Sequence, residues 1–127
     1  MVKILLVGLG GFLGSVLRYL ATGWVQTIAG GGFYPYGTFA VNMAGCLLIG
    51  FLAGFSQDKG IWSAELKLFV FFGFLGGFTT FSTFANESFQ LISDDQFTAG
   101  LLNVGFHILL GLVFVWVGYF LSNLISS

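Results

Sequence analysis

Charged side chains are scarce in this chain of 127 residues, which carries four Lys or Arg and five Asp or Glu. They make up 7% of the sequence and hydrophobic residues 57%, whereas about a quarter of the residues of a soluble domain are charged. This number of charges is too small to cover a surface that faces water. The sequence therefore predicts a protein embedded in lipid. Four cations and a net charge of −1 also exclude the basic patch that a nucleic-acid-binding protein needs.

Cysteine is equally scarce, and so are the side-chain groupings typical of catalysis. The single cysteine, Cys46, excludes an intramolecular disulfide, and its apolar neighbours in the sequence favour a buried packing role. Paired carboxylates at midplane depth, a Cys/His cluster and a spacing that would suggest a Ser/His/Asp set are all missing from the sequence. The sequence therefore predicts that the protein is not an enzyme.

Four segments are apolar over the roughly 20 residues that a helix needs to cross a bilayer. They run from Ile4 to about Ile28, from Gly37 to Gln57, from about Trp62 to Ile92, and from Phe97 to Ile125. The first is too long for the apolar part of a signal peptide, which covers about 7–15 residues. Because the connections are short, we predict an all-α integral membrane protein with four transmembrane helices in a single domain, residues 1–127.

The charges near the ends of the spans favour one orientation in the membrane only weakly. The positive-inside rule counts Lys and Arg in short loops. Lys3, Lys59 and Lys67 lie on one side, against at most Arg18 on the other. A bias this weak predicts that the chain inserts in both orientations.

Polar side chains recur at helical spacing on the first two spans. Gly10, Gly14 and Arg18 share a face of the first span. Because a charge within a span rarely faces lipid, this face is predicted to pack against protein, where Arg18 either orients the bundle or shapes a vestibule for anions. Thr38 and Asn42 lie one turn apart on the second span. Asn42 either forms a hydrogen bond between helices or lines a pathway.

The fourth span also has one polar or small face. Asn103, His107 and Gly111 follow one another at intervals of four residues. A lone histidine is more often a hydrogen-bonded packing residue than a proton carrier, so packing is the favoured interpretation of His107.

The third span contains the densest grouping of glycine and hydroxyl residues, GFLGGFTTFSTFANE at residues 73–87. Because Gly and Thr are poor helix formers, the helix is predicted to break around Gly76–Thr80, near the middle of the span. Non-helical backbone survives at that depth only inside protein or beside a wet cavity, and broken helices are a known device for ion sites. Phe81 and Phe84 follow on one face, and among them lie the hydroxyls of Thr80, Ser82 and Thr83.

Three strings of residues resemble the Fluc (CrcB-type) family of fluoride channels. They are GFLGGFTTFSTF at residues 73–84, GTFAVNMAG at 37–45 and GGFLGSVLRY at 10–19. The resemblance implies an antiparallel, dual-topology homodimer in the bilayer of the cell's inner (plasma) membrane. It also implies two pores that pass fluoride and reject chloride, and a structural Na+ at the centre of the dimer.

The resemblance further implies roles for single residues. Phe81 and Phe84 match the phenylalanines that line the pores, and Asn42 matches the pore asparagine. The carbonyls of Gly76 and Thr79 match those that hold the sodium ion. The other residues assigned to the fluoride pathway are polar: Thr38, Ser82, Thr83, Arg18, Glu87, Asn103 and His107. The fourth helix departs from the family pattern, which places hydroxyls along the stripe that Asn103, His107 and Gly111 occupy here.

Two other functions compete with this interpretation. A small proton-coupled exporter of organic cations can also be a four-helix, dual-topology dimer, but its mechanism needs a carboxylate deep in the membrane. Glu87, the one candidate, lies about ten residues from the predicted break, roughly 15 Å along a helix. A non-transporting membrane scaffold is the second alternative, and it leaves the polar stripes on three helices unexplained.

Overall fold

The computed structural model describes residues 1–57, 60 and 62–126, without the side chain of Ser126. These residues are mainly helical and contain no strand. The helices are α1 (Val2–Ile28), α2 (Tyr36–Gln57), α3 (residues 64–78), α4 (Phe81–Ser93) and α5 (Phe97–Ser126). Lys59, which contributed to the prediction of orientation, lies outside the described residues.

Four helical stretches are long and apolar enough to cross a membrane. They are Val2–Ile28, Tyr36–Gln57, Ala64–Ser93, which combines α3 with α4, and Phe97–Ile125. Each end lies within two residues of the predicted span. The prediction of an all-α protein with four membrane spans is therefore confirmed.

Close backbone contact joins α1 to α3. A Cβ atom on Gly10 would lie 2.5 Å from the carbonyl oxygen of Phe69, and one on Gly77 would lie 2.6 Å from that of Gly11. Glycine is needed at these positions because any side chain would meet backbone. The face of α1 that carries Arg18 therefore packs against α3.

A second close pair is formed by α2 and α5. Gly50 of α2 lies against the carbonyl of Val115, and Gly118 of α5 lies against that of Leu47. Small residues let helices approach closely in a membrane, where packing replaces the hydrophobic effect as the force of association. α4 packs on α5 as well, so α5 links α2 to α4.

α3 departs from regular α-helix over most of its length. Ser63 caps its first turn, Ala64–Lys67, by accepting a hydrogen bond from Leu66 N at 3.1 Å, and residues Leu68–Leu75 then form a π-helix. Such helices are rare and frequently occur at functional sites. The sequence did not predict this π-helix, because it has no simple residue pattern.

The glycines predicted to break α3 are themselves helical. Gly76 has φ −62° and ψ −36°, and α-helical geometry holds over Gly76–Phe78. The low helix propensity of glycine is outweighed here by packing, since Gly73 and Gly77 allow contact with the backbone of α1. The inclusion of Gly76 in the predicted break was therefore wrong for the backbone of this chain.

Candidate functional site

Extended backbone separates α3 from α4. Thr79 has φ −87° and ψ 156°, and Thr80 has φ −148° and ψ 113°. The side chain of Asn42 in α2 bonds both backbone groups of Thr80: Nδ2 donates to Thr80 O at 3.0 Å, and Oδ1 accepts from Thr80 N at 2.8 Å. One amide thus satisfies a donor and an acceptor that the helix would otherwise pair.

The carbonyl groups of Gly76 and Thr79 lose their helical donors at this segment. In a continuous α-helix the carbonyl of residue i accepts from the N–H of residue i+4. Thr80 N donates to Asn42 rather than to Gly76 O, and Thr83 N donates to Thr80 Oγ1 at 3.3 Å rather than to Thr79 O. The carbonyl oxygens of Gly76 and Thr79 are therefore released from the usual i+4 bond.

These oxygens have the chemistry of a site for a hard cation. Such ions prefer oxygen ligands, including backbone carbonyls. The described part of the chain contains no group of three or more His, Cys, Asp or Glu that could hold a metal ion. Of the two intervening carbonyls, that of Gly77 accepts a hydrogen bond from Arg18 Nε at 3.0 Å. Gly76 and Thr79 thus fit a cation held by backbone oxygens.

Phe81 and Phe84 begin α4 directly after the extended segment. Their ring centroids lie 5.4 Å apart with the planes inclined at 67°. Phe84 is 7% exposed and Phe81 79% exposed, so the two rings are neighbours in different environments. Because the edge of an aromatic ring is electropositive, a pair in this arrangement can turn C–H edges towards an anion.

A cavity of about 370 Å³ lies beside the extended segment. Both phenylalanines line it, together with residues of α2, α3 and α5. Its walls are mainly apolar, and the polar groups are those of Asn42, Thr79, Thr80 and His107. A small ion in this cavity would meet few hydrogen-bonding groups and no charged side chain among the wall residues.

Two further clefts with polar wall residues lie along α4. One, of about 390 Å³, shares Thr80 with the cavity and contains Arg18. The other, of about 470 Å³, reaches Asp94 just beyond the end of α4. Thr38 and Glu87 line both clefts. Shared wall residues therefore make the three spaces neighbours, in a series that runs from the extended segment to the loop that follows α4.

A hydrogen bond between α2 and α4 lies where the two clefts meet. Thr38 Oγ1 donates to Glu87 Oε1 at 2.7 Å, and Thr38 is 2% exposed. The other carboxyl oxygen, Glu87 Oε2, is buried and has no hydrogen-bond partner among the described residues. Glu87 therefore keeps an unpaired oxygen beside the clefts.

α5 supports Phe84 through a second group of polar residues. Asn103 is fully buried and its Nδ2 donates to Ser88 Oγ at 2.8 Å, while Ser88 Oγ donates to Phe84 O at 2.8 Å. His107 stacks on the Phe84 ring with centroids 4.2 Å apart. These contacts connect the polar stripe of α5 to the start of α4.

Most of the polar residues predicted from the sequence lie along these spaces. Those in the walls of the cavity or the clefts are Asn42, Thr38, Arg18, Thr83, Glu87 and His107. Ser82 is exposed and Asn103 is fully buried, and neither is a wall residue of these spaces. The sequence analysis missed Ser88, although its spacing of four residues from Phe84 could have indicated a shared helical face.

Comparison with known proteins identifies relatives over nearly the whole chain. Residues 5–119 match the model of the family described as CrcB-like protein, Camphor Resistance (CrcB). A fluoride-specific ion channel FluC of Geotalea daltonii is 44% identical, over 93% of this chain and 94% of its own. Proteins of the same name from Clostridium perfringens and Flavobacterium psychrophilum are 43% and 42% identical, over 95% and 97% of this chain and 94% and 98% of theirs.

The spans and these matches together define a multi-pass membrane protein. The chain belongs to the CrcB family, and its resemblance to the Fluc (CrcB-type) channels is confirmed. The relatives are named as ion channels, which are not enzymes, so the prediction that the protein is not an enzyme is also confirmed. Their bacterial sources agree with the predicted inner (plasma) membrane.

Proposed function

We propose that the protein is a fluoride-selective channel that lets fluoride leave the cell passively. The observation that carries this proposal is the series of three adjoining spaces between the extended segment and the loop after α4. The cavity at its inner end, beside the extended segment, is lined by Phe81 and Phe84. The adjacent cleft is lined by Arg18 and hydroxyl groups. The names of the relatives at 42–44% identity support fluoride as the ion.

The chemistry of the inner cavity suits weak and transient contact with a small anion. Conduction requires binding that is favourable enough for entry but weak enough for exit. Phenyl edges offer partial positive charge without a full counter-ion. One N–H of the Asn42 amide bonds Thr80 O, and the second can replace a water donor as fluoride passes.

We also infer that two chains assemble as an inverted dimer with two pores. The extended residues Thr79 and Thr80 are only half-buried, and Gly76 beside them is exposed. The carbonyls of Gly76 and Thr79 are released from their helical donors, and unpaired backbone groups cannot face lipid, so a second chain must cover this region. The near balance of loop charges lets that chain insert in the opposite orientation.

An inverted dimer would bring the released carbonyls of both chains together. A two-fold axis in the membrane plane that passes near Thr79 places the Gly76 and Thr79 oxygens of each chain around one point. A hard cation bound there would be coordinated by oxygens alone. We propose that this ion is Na+ and that it stabilises the assembly, with α3 and α4 acting as one membrane helix broken near the midplane.

A flux assay on purified protein in liposomes tests the function. Efflux of fluoride, chloride and an organic cation is measured with the same preparation. Fast fluoride efflux with little chloride efflux is expected. Protein-dependent efflux of the organic cation, coupled to protons, would favour an exporter, and no efflux of any ion would favour a scaffold.

Cysteine labelling in native membranes tests the assembly separately. The native Cys46 is first replaced by serine, and a cysteine is then introduced at Lys3 or at Ala29, which lie at opposite ends of α1. Inverted dimers predict that each site is labelled in part from each side. Labelling of each site from one side alone would refute the dual topology, even in a protein that conducts fluoride.

Replacing sodium tests the cation. The dimer is expected to dissociate more readily in detergent when N-methylglucamine replaces Na+, with chloride held constant. Thr79→Ser keeps the backbone carbonyl and should show the same sodium dependence as the parent. Equal dimer stability in the two cations would refute the sodium site.

A further inference from the structure

His107 is the single histidine of the chain, and one contact determines its tautomer. Its Nδ1 lies 2.9 Å from the backbone carbonyl oxygen of Asn103. A carbonyl oxygen only accepts hydrogen bonds, so Nδ1 carries the proton and donates. In the neutral ring Nε2 is therefore an acceptor with a free lone pair.

The surroundings of this nitrogen are apolar. Nε2 is buried and has no hydrogen-bond partner among the described residues. The ring stacks on Phe84 with centroids 4.2 Å apart and meets the edge of Phe39 at 5.2 Å. His107 also lines the cavity that contains Phe81. Since buried polar atoms in proteins are nearly always paired, an unpaired one beside a cavity is a candidate contact for a mobile ligand.

Among the described residues that line the cavity, none presents a charged side chain to the ring of His107. α2 contributes the thiol of Cys46, the other titratable group there, while α3 contributes apolar residues and α4 the two phenylalanines. The next carboxyl group along α4 is Glu87, which bonds Thr38 and lines the two outer clefts instead. A positive charge on His107 would therefore have no counter-ion in this cavity.

We propose that His107 is a proton-linked contact for fluoride: once Nε2 has taken up a proton from water in the cavity, its N–H binds the ion beside Phe84. This proposal rests on the proposed fluoride pathway and adds a binding group to it. Protonation converts a lone pair that repels an anion into a charged donor. Fluoride supplies both the missing counter-ion and the missing acceptor, so each ligand strengthens the binding of the other.

The proposal predicts opposite effects of acid on affinity and on speed. Lowering the pH should reduce the fluoride concentration that gives half-maximal flux, because more of the rings are charged. The maximal flux should fall at the same time, since an ion held by a charged donor leaves more slowly. A residue that merely stabilises the fold would not separate the two quantities in this way.

The single histidine makes the linkage directly measurable by nuclear magnetic resonance. Protein labelled with ¹⁵N-histidine in micelles is titrated between about pH 5 and pH 8.5, in sodium fluoride and in sodium chloride at equal concentration. The midpoint of Nε2 protonation is expected to be roughly one pH unit higher in fluoride, which is about tenfold in affinity. Equal midpoints in the two salts, or a ring that never becomes protonated, would overturn the proposal.

Flux measurements separate this proposal from the proposed function. Fluoride efflux by the wild-type protein at about pH 8, where an ordinary histidine is neutral, tests the function by itself. His107→Phe keeps a ring against Phe84 and His107→Gln keeps a polar group, yet neither titrates, so both should lose the dependence on pH. Glu87→Gln should retain that dependence, and liposomes without protein correct for hydrogen fluoride that crosses the lipid.

Each result of the flux assay has one meaning. Wild-type flux that ignores pH, or a dependence on pH that survives in His107→Phe and His107→Gln, overturns the role of His107 and leaves the fluoride pathway intact. A dependence that disappears only in Glu87→Gln assigns the proton to that carboxyl group and likewise overturns the proposal. No fluoride flux at any pH refutes the proposed function itself.

Discussion

Alanine at Asn42 is expected to destabilise the protein by about 1–3 kcal/mol. The substitution removes two hydrogen bonds, of 3.0 and 2.8 Å, and leaves the N–H and the carbonyl of Thr80 unpaired in the extended segment. Hydrogen bonds between helices in membrane proteins contribute about 0.6 kcal/mol on average and at most about 1.7 each. Two bonds at one residue, both to backbone, give the stated range.

Alanine at Asn103 is the matched control, because the same atoms are removed from an asparagine that is also buried. Asn103 makes one side-chain bond, to Ser88 Oγ, and its Oδ1 has no partner among the described residues. Ser88 keeps its bond to Phe84 O after the substitution. The lost bond destabilises the protein, but removal of the unpaired acceptor stabilises it, because such a buried group costs about 1–3 kcal/mol. Since the two effects oppose each other, the stability should change by less than about 1 kcal/mol.

Reversible unfolding in mixed micelles, followed through the fluorescence of the three tryptophans, measures both variants. The loss of side-chain volume is common to the two, so their difference isolates the hydrogen bonds. We expect Asn42→Ala to be the less stable variant by about 2 kcal/mol. Equal costs, or a larger cost at Asn103, would refute the idea that Asn42 maintains the extended segment.

Three further predictions concern the residues of the proposed fluoride pathway and the glycines of α3. Phe81→Ile and Phe84→Ile should both reduce fluoride efflux to near that of empty liposomes, but only Phe84→Ile should lower protomer stability, because Phe84 is 7% exposed and Phe81 79%. Wild-type efflux in either variant would remove that ring from the pathway. Asn42→Asp should slow efflux in the same assay because it replaces a donor by a negative charge, and unchanged efflux would make the amide purely structural. In the unfolding assay Gly77→Ala should lower the stability of the protein by about 1–3 kcal/mol, because its Cβ would lie 2.6 Å from Gly11 O. Gly76→Ala should hardly change the stability of the protomer, because the atom nearest to its Cβ is 3.7 Å away. A larger loss of stability in Gly76→Ala than in Gly77→Ala would contradict the packing of α1 on α3.

Membrane insertion could be predicted almost completely from the sequence. The ends of all four spans were predicted to within two residues, because hydropathy and length are local properties that lipid imposes directly. The string from Gly73 to Phe84 also contains the extended segment and both phenylalanines of the candidate site. Its glycines, hydroxyls and aromatic rings are neighbours in the sequence and remain neighbours in the structure.

The sequence could not indicate which groups pair across the bundle. Asn42 and Thr80 are 38 residues apart, and Arg18 and Gly77 are 59 apart. Such pairs depend on the rotation and depth of one helix against another, which packing decides. The same limit explains why Gly76 was included in the predicted break, since a glycine that loosens a helix and one that admits a neighbouring helix look alike in sequence.

The sequence by itself therefore determined the class of protein, the number of spans and the residue types available for ion transport. Tertiary structure decided that Asn42 satisfies the backbone of Thr80, that the Gly76 and Thr79 carbonyls lose their i+4 donors, and that Phe84 rests on His107. The physical reason is that lipid acts on each helix separately, whereas hydrogen bonds and ring contacts need two helices in one register.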